Sequence, residues 1–232
     1  MKKIHVSLVI PVYNEATILE RNVKKAIKSI EKITNEYEII IAEDGSDDGS
    51  DLIASRLAKP NKKIIHLHSD KRLGKGLALS KAFKTSRGQI LAFLDADLSA
   101  DLSYLKEMTK KIELGYDFVI GSRYIKGSKT KRKFIRNSSS LLYNWLCRNI
   151  FSLDIHDFQC GFKAFKRDSL LKIIDCAESK DWFWDTEILI KGSKKGYKIV
   201  EIPIEWADRE ESKVKLYRDG IVMLLNILKM KL

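Results

Sequence analysis

The sequence predicts an α/β protein built on a mostly parallel central sheet with helices on both faces. Three observations carry the prediction. Short β-branched runs recur along the first 120 residues, stretches with helical apolar spacing separate them, and polar clusters follow the runs directly. That rhythm is the signature of βαβ units.

The first run, His5 to Ile10, follows a charged start but breaks at Pro11 and lacks a small-residue cleavage site, so it reads as a buried strand and not a secretion signal. Ile18, Val23, Ile27 and Ile30 then fall at helical spacing. The runs Tyr37 to Ala42, Lys63 to Leu67, Gln89 to Leu94 and Asp117 to Ile120 supply four more strands. From Lys126 to Arg136 there are six Lys/Arg and no acid, followed by an apolar stripe of Leu141, Leu142, Trp145, Leu146, Ile150 and Phe151. Two readings stand for that stretch: a membrane-surface helix with a basic entry, or a core helix behind a solvated loop. The chain end, with Tyr217, Ile221, Leu224, Leu225 and Leu228 among lysines, predicts a second, C-terminal amphipathic helix. No run reaches the ~18 apolar residues of a spanning helix.

At 232 residues, 44% hydrophobic with 3 Pro, the chain has the makings of one large globular domain with at most a modest extension. Lys+Arg 43 against Asp+Glu 31 gives a net charge of +12 and predicts an anionic partner: nucleic acid, an acidic leaflet or phosphorylated substrates. A generally lysine-rich composition is the bland alternative. The sequence has no RNP-like aromatic pattern or zinc finger, so no nucleic-acid partner is expected. Cys147, Cys160 and Cys176 form no CxxC pair, which speaks against a disulfide framework or cysteine zinc site and for a reducing, cytoplasmic compartment.

In open sheets ligands bind beyond the carboxyl ends of the strands. There the sequence places Pro11-Val12-Tyr13-Asn14-Glu15, Glu43-Asp44-Gly45-Ser46-Asp47-Asp48-Gly49-Ser50, Asp95-Ala96-Asp97 and Gly121-Ser122-Arg123. Two carboxylates at a strand exit repel unless a cation lies between them, and a divalent ion bridging to a diphosphate suits that need. A polar turn followed by an Asp101 helix cap explains the same residues without a ligand. For the Glu43 segment the alternative is an acidic turn with Asp48 or Ser50 capping the next helix. Gly74-Lys75-Gly76 opens a helix and offers amides and a cation to phosphate. The sequence contains no GxxxxGK[ST], which disfavours an ATPase.

Together these segments, in this order and spacing, resemble the inverting GT-A glycosyltransferases of family 2. Gly121-Ser122-Arg123-Tyr124, Asp157 to Lys163, Asp185-Thr186-Glu187 and Ser212-Lys213 are similar to the polyprenyl-phosphate branch, and Pro203-Ile204-Glu205-Trp206 is closer to dolichyl-phosphate glucosyltransferases than to mannose synthases. The resemblance implies a catalytic domain over 1–211, with a nucleotide-sugar half (1–120) and an acceptor half (121–211), and a membrane-surface helix over 212–232. It implies donor contacts from Pro11, Tyr13, Glu15, Ala42, Asp44, Lys75, Ala96, Arg209 and Lys213. Asp95 and Asp97 would reach the diphosphate and a divalent metal, Mg2+ or Mn2+. Arg123, Arg136 and Ser140 would grip the acceptor phosphate, Asp95, Asp97 and Arg123 carrying the catalysis. Gln159, Asp185 and Glu187 are auxiliary candidates, the two acids being either a relict base position or structural partners of a lysine or arginine. Three departures stand out: Ser99 replaces a metal-shell Gln, Glu43 replaces Asp, and the spacing to Arg209 is two residues short.

The implied reaction moves a hexose, UDP-glucose being the favoured donor, to polyprenyl or dolichyl phosphate with inversion, at the cytoplasmic face of a membrane. The rivals are GDP-mannose or UDP-N-acetylglucosamine as donor, a sugar-hydroxyl acceptor, a nucleic-acid-binding module, and a silent membrane scaffold.

Overall fold

The structure, a computed structural model, describes residues 4–208 and 216–231. The five expected runs become β1 (Val6–Val12), β2 (Tyr37–Glu43), β3 (Ile64–Leu67), β4 (Ile90–Leu94) and β5 (Phe118–Ser122). Between them lie α1 (Ala16–Ile30), α2 (Ser50–Ala58), α3 (Lys75–Thr85) and α4 (Leu105–Glu113). Each connection between β1 and β4 returns the chain in parallel, as βαβ units require. The strands are buried along their length, Leu8, Val9, Ile10 and Ile39, Ile40, Ile41 among them, because helices cover both faces.

Beyond β5 follow β6 (Lys129–Lys131), α5 (Phe134–Phe151), β7 (Phe162–Lys166), α6 (Arg167–Ile174), α7 (Trp184–Lys194), β8 (Ile199–Pro203), β9 (Glu205–Ala207) and α8 (Leu216–Lys231). The seven-stranded sheet runs β3-β2-β1-β4-β7-β5-β8, and β6 and β9 form a small parallel pair. β7 lies antiparallel between β4 and β5. It joins the expected nucleotide-sugar and acceptor halves in one sheet. The segments β6 to β9 were not expected as strands. Behind β7 the core is aromatic: Phe118 meets Phe165 edge-on at 5.0 Å, and Trp184 stacks on Phe83 while its Nε1 donates to Ser80.

The two amphipathic helices pack on one another. α8 sinks Met223 and Ile227 into the core and leaves Ile221, Val222, Leu225 and Leu228 exposed. α5 buries Ser140, Asn144 and Cys147, and its apolar stripe is split: Leu141, Leu142 and Trp145 stand in solvent with Phe134 and Ile135, while Ile150 and Phe151 pack against the core. The first half of the helix thus departs from the core-helix reading, and its last turn agrees with it. Among the described residues no helix is long and apolar enough to cross a membrane.

Candidate active site

The carboxyl ends of β1, β2 and β4 open into one cleft of about 900 Å³, lined by Tyr13, Asp44, Lys75, Asp95, Asp97, Arg123 and Arg136 among others. Its near wall is set by the register of β1 on β2, which pairs Val12 with Glu43 and so delivers Tyr13 and Asp44 side by side. The acidic loop after β2 serves the start of α1: Asp48 Oδ2 accepts from Ala16 N at 2.9 Å and Ser50 Oγ from Glu15 N at 2.8 Å. Carboxylate at a helix N-terminus is favourable by charge and by satisfying a free amide. Asp48 also accepts from Ser50 N, although the cap residue of α2 is Gly49 and not Asp48 or Ser50 as expected. Asp44 accepts from Leu73 N at 2.6 Å and Gly74 N at 3.0 Å, which fixes the 72–74 loop and brings Arg72 to 4.2 Å from the Tyr13 ring. Gly45, at φ +68°, lets that loop pass: a Cβ there would lie 2.6 Å from Arg72 N.

The far end of β4 holds a chain of charges. Lys75 Nζ lies 2.8 Å from Asp95 Oδ1 and 3.4 Å from Asp185 Oδ2, and Lys163 Nζ lies 2.6 Å from Asp185 Oδ1. Burial works against the Lys75 ammonium, but Asp185 and Asp95 outweigh it and raise its pKa. Burial raises the Asp95 carboxyl, Lys75 opposes it and the neighbouring Asp97 raises it further. Asp97 faces the cleft, its oxygens accepting from Ser99 N at 3.0 Å and Ser99 Oγ at 2.6 Å. Between them Leu98 holds φ 53°, a strained backbone for an apolar residue and one that recurs at functional turns. Asp101 accepts from Ser103 N at 2.8 Å as the expected cap.

The β6–β9 pair, which the sequence did not suggest, adds to the cleft and adjoins the Asp97 turn, Ala207 N donating to Ser99 O at 2.9 Å. It sets Arg132 beside Asp208, Nε to Oδ1 at 3.1 Å, while Arg132 Nη1 donates to Tyr124 Oη at 2.8 Å and Ser140 Oγ at 3.1 Å. Arg136 stands 3.9 Å from Asp208 Oδ2. Arg123 is placed differently from expectation. Its Nε and Nη2 each donate to Asp157 at 2.7 Å, both side chains being buried, so most of its fork is taken by a carboxylate. The sequence singled out Arg123 and Arg136; Arg132, from the same basic run, was missed because only the strand pairing reveals which of six cations turns inward.

Several expected residues fall elsewhere. Ala42 is buried within β2, Asp44 being the residue of that strand end that reaches the cleft. Asp185 lines the cleft, but both of its oxygens are engaged by lysines, which favours the structural-partner reading over a base. Glu187 turns away to the amides of Glu178 and Ser179 and to Lys191. Gln159 lines the cleft with its Nε2 3.8 Å from Met223 Sδ, which ties the site to α8. Pro11, Glu15 and Ala96 line it as well, and Ala96 O accepts from Asn22 Nδ2. Arg209 and Lys213 lie outside the described residues.

The donor set suits a hard divalent ion. Asp97 presents carboxylate oxygens to the cleft next to a second acid whose ionisation it opposes, and a cation at this point relieves that repulsion.

The glycosyl transferase family 2 model matches residues 7–174. The chain is 39% identical over 229 residues to glycosyltransferase AglD of Haloferax volcanii, covering 97% of this chain and 37% of that protein. It is 32% identical to dolichyl-phosphate beta-glucosyltransferase ALG5A of Trichomonas vaginalis (92% of this chain, 69% of that protein) and 30% identical to the dolichyl-phosphate beta-glucosyltransferase of Dictyostelium discoideum (98% and 74%). The chain thus spans about a third of the haloarchaeal relative's length and about seven tenths of the other two. Among solved structures, glucosyl-3-phosphoglycerate synthase from Mycobacterium tuberculosis, in complex with Mn2+, UDP and glucosyl-3-phosphoglycerate, superposes with TM-score 0.69 at 18% identity over 98% of this chain and 79% of that one. The mannosyltransferase PcManGT from Pyrobaculum calidifontis, in complex with GDP-Man and Mn2+, superposes with TM-score 0.64 at 18% identity over 99% of this chain and 63% of that one. With this GT-A fold and these matches, the chain belongs to glycosyl transferase family 2, in the branch that includes the dolichyl-phosphate β-glucosyltransferases.

Proposed function

We propose that the chain transfers a hexose from a nucleotide diphosphate, UDP-glucose being the donor favoured, to a polyprenyl or dolichyl phosphate, with inversion. One observation carries the reading: a single cleft is lined both by Asp97 and by Arg132, Arg136 and Ser140. That sets a metal-diphosphate end and an anion-binding end in one cleft.

Tyr13, Arg72 and Asp44 form the nucleoside end, and Lys75, Asp95 and Asp97 the diphosphate end. A divalent metal held at Asp97, with Asp95 beside it, supplies neutralisation of the charge that grows on the leaving diphosphate. The acceptor is a phosphate monoester with a second pKa of about 6, so its attacking oxygen is already anionic at neutral pH and needs no general base. The engagement of Asp185 by two lysines agrees with that economy. Arg132 and Arg136 orient the acceptor, since guanidinium forks match phosphate geometry. Attack on the sugar carbon opposite the leaving group inverts its configuration. Arg209 and Lys213 are kept as proposed donor contacts.

The lipid is met at the rim. Phe134, 84% exposed, Ile135, Leu142 and Trp145 project beside Lys126, Lys129, Lys131 and Lys133, which is the composition of an interfacial surface for anionic lipid. The chain works in this reading as a peripheral protein on the cytoplasmic face of a membrane. Incubation with polyprenyl phosphate, Mg2+ or Mn2+, and UDP-glucose, GDP-mannose or UDP-N-acetylglucosamine in turn tests it: a sugar appears on the lipid from UDP-glucose, and the absence of lipid product from every donor refutes the acceptor.

A further inference from the structure

The β3 edge of the sheet carries a donor set that the transfer reading does not use. His66 lies in β3 and His68 just beyond it, and two residues along an extended chain bring both rings to one face. The β2–β3 register pairs Ala42 with Leu67, so Glu43 falls beside His68 on that same face. One ligand atom from each of the three lies within 4.8 Å of the others. The Glu43 side chain is buried, and its Oε2 sits 2.5 Å from His68 Nδ1. Nε2 of His68 looks outward to the exposed Asp70 carboxylate, Oδ1 at 3.4 Å, which leaves Nδ1 turned toward Glu43. His66 supplies an independent sign: its Nε2 is buried and has no hydrogen-bond partner.

We propose that Glu43, His66 and His68 form a second metal site, of the zinc type, with three protein ligands and an open fourth position. Two imidazoles and one carboxylate suit Zn2+ better than the hard Mg2+ or Mn2+ expected at Asp97. The two sites are separate: β2 and β3, which carry the ligands, lie two and three strand positions from β4, roughly 10 to 14 Å at about 4.8 Å per strand, whereas paired metals in one centre sit about 4 Å apart. Bonds of about 2.0–2.1 Å bring tetrahedral ligand atoms to about 3.3 Å from one another, so the Glu43–His68 contact at 2.5 Å opens by about 0.8 Å and separations of up to 4.8 Å close by at most about 1.5 Å. His68, with 44% of its side chain exposed, has that freedom.

Co2+ is the probe, titrated into the full chain and into Asp97→Ala, which lacks the main carboxylate of the transfer cleft. The expected result in both is one equivalent with the intense visible absorption of four-coordinate Co2+, displaced by one equivalent of Zn2+, any further Co2+ in the parent adding only the weak absorption of an octahedral oxygen site. His66→Ala and His68→Asn should each weaken Zn2+ by more than about 100-fold, since even an outer-shell partner is worth 10- to 100-fold. His68→Asn keeps an amide donor for Glu43 and replaces a partly exposed ring, so an unchanged thermal melt of its metal-free form verifies the fold and this variant decides alone if His66→Ala does not fold. Only weak octahedral absorption in the parent, or a strong band that persists in His68→Asn, for example through the exposed thiol of Cys176, overturns the site.

Discussion

Arg123 offers Nε and Nη2 to Asp157, and an acceptor phosphate at that position would compete with a buried carboxylate already in place. Arg132 and Arg136 answer to a single acid, Asp208, whose Oδ2 has no hydrogen-bond partner among the described residues. The two positions therefore differ in what their loss does. Arg132→Ala should raise the KM for polyprenyl phosphate and lower kcat/KM by roughly 10- to 150-fold, the 1.5–3 kcal/mol of a charged hydrogen bond, at a smaller stability cost than the loss of Arg123 because Arg136 remains beside Asp208. Arg123→Ala strands Asp157 without its cation and should cost about 3–5 kcal/mol of stability in urea unfolding. If Arg123→Ala unfolds like the parent and loses acceptor affinity, the assignment is reversed. Asp97→Ala should abolish turnover with the fold intact, checked by circular dichroism together with product formation over a Mn2+ series. Gly161→Ala should cripple the same centre indirectly, because a Cβ there falls 1.8 Å from Asp95 Oδ2 and must push the carboxylate off Lys75.

At the scale of elements, α7 shows how a carboxylate can sit in a family-like position and work for the scaffold. Glu187 accepts from Glu178 N at 2.9 Å and Ser179 N at 2.8 Å and pairs with Lys191 at 2.7 Å, so it ties the loop ahead of α7 to the helix. Burial would raise its pKa, but the Lys191 hydrogen bond and those two amides prevail and lower it from 4.5. A depressed pKa contributes stability that is present above the unfolded value and is lost as pH falls through the folded one. Glu187→Gln should therefore lower Tm at pH 7, and its difference from the parent should shrink as pH falls below about 4.5 in a calorimetric pH series. The elements also show what could be read beforehand. β1 to β5 and α1 were legible because doubly covered strands are uniformly apolar and α1 repeats its apolar face every three to four residues. β7 carries Lys163 among its apolar residues, a buried cation legible only once Asp185 is brought beside it by α7. β6 and β9 are three residues each and exist by pairing with one another, so no local pattern marks them. The site was legible to the same extent. Tyr13, Asp44, Asp95 and Asp97 follow apolar runs directly and were found, whereas Arg132 and Asp208 depend on that short pairing and were not.

Over the whole molecule, +12 of net charge, a basic loop and an outward-facing apolar α5 combine into one expectation for how the cleft meets its lipid. Each Lys or Arg near an anionic leaflet contributes about 1 kcal/mol and is screened within a Debye length of about 10 Å at 0.1 M salt. Co-sedimentation with vesicles rich in anionic lipid should therefore fall with ionic strength, and Trp145→Asp with Phe134→Asp should abolish it while leaving nucleotide binding unchanged. Nucleotide binding itself is readable in global stability, because the donor end draws on β1, β2 and β4 at once and its ligand binds the folded chain alone. At about 100 times its Kd, a ligand adds about 2.7 kcal/mol to unfolding. For a chain of this size about 1 kcal/mol moves Tm by roughly 2–4 °C, so UDP with Mn2+ should raise Tm by roughly 5–11 °C. GDP at the same concentration should shift it less if the nucleoside end selects uracil, and the metal-dependent part of the shift should vanish in Asp97→Ala. An equal or larger shift with GDP would move the donor assignment to GDP-mannose and leave the metal and acceptor ends of the cleft as they stand, because those rest on Asp97 and on the Arg132 cluster of the same cleft.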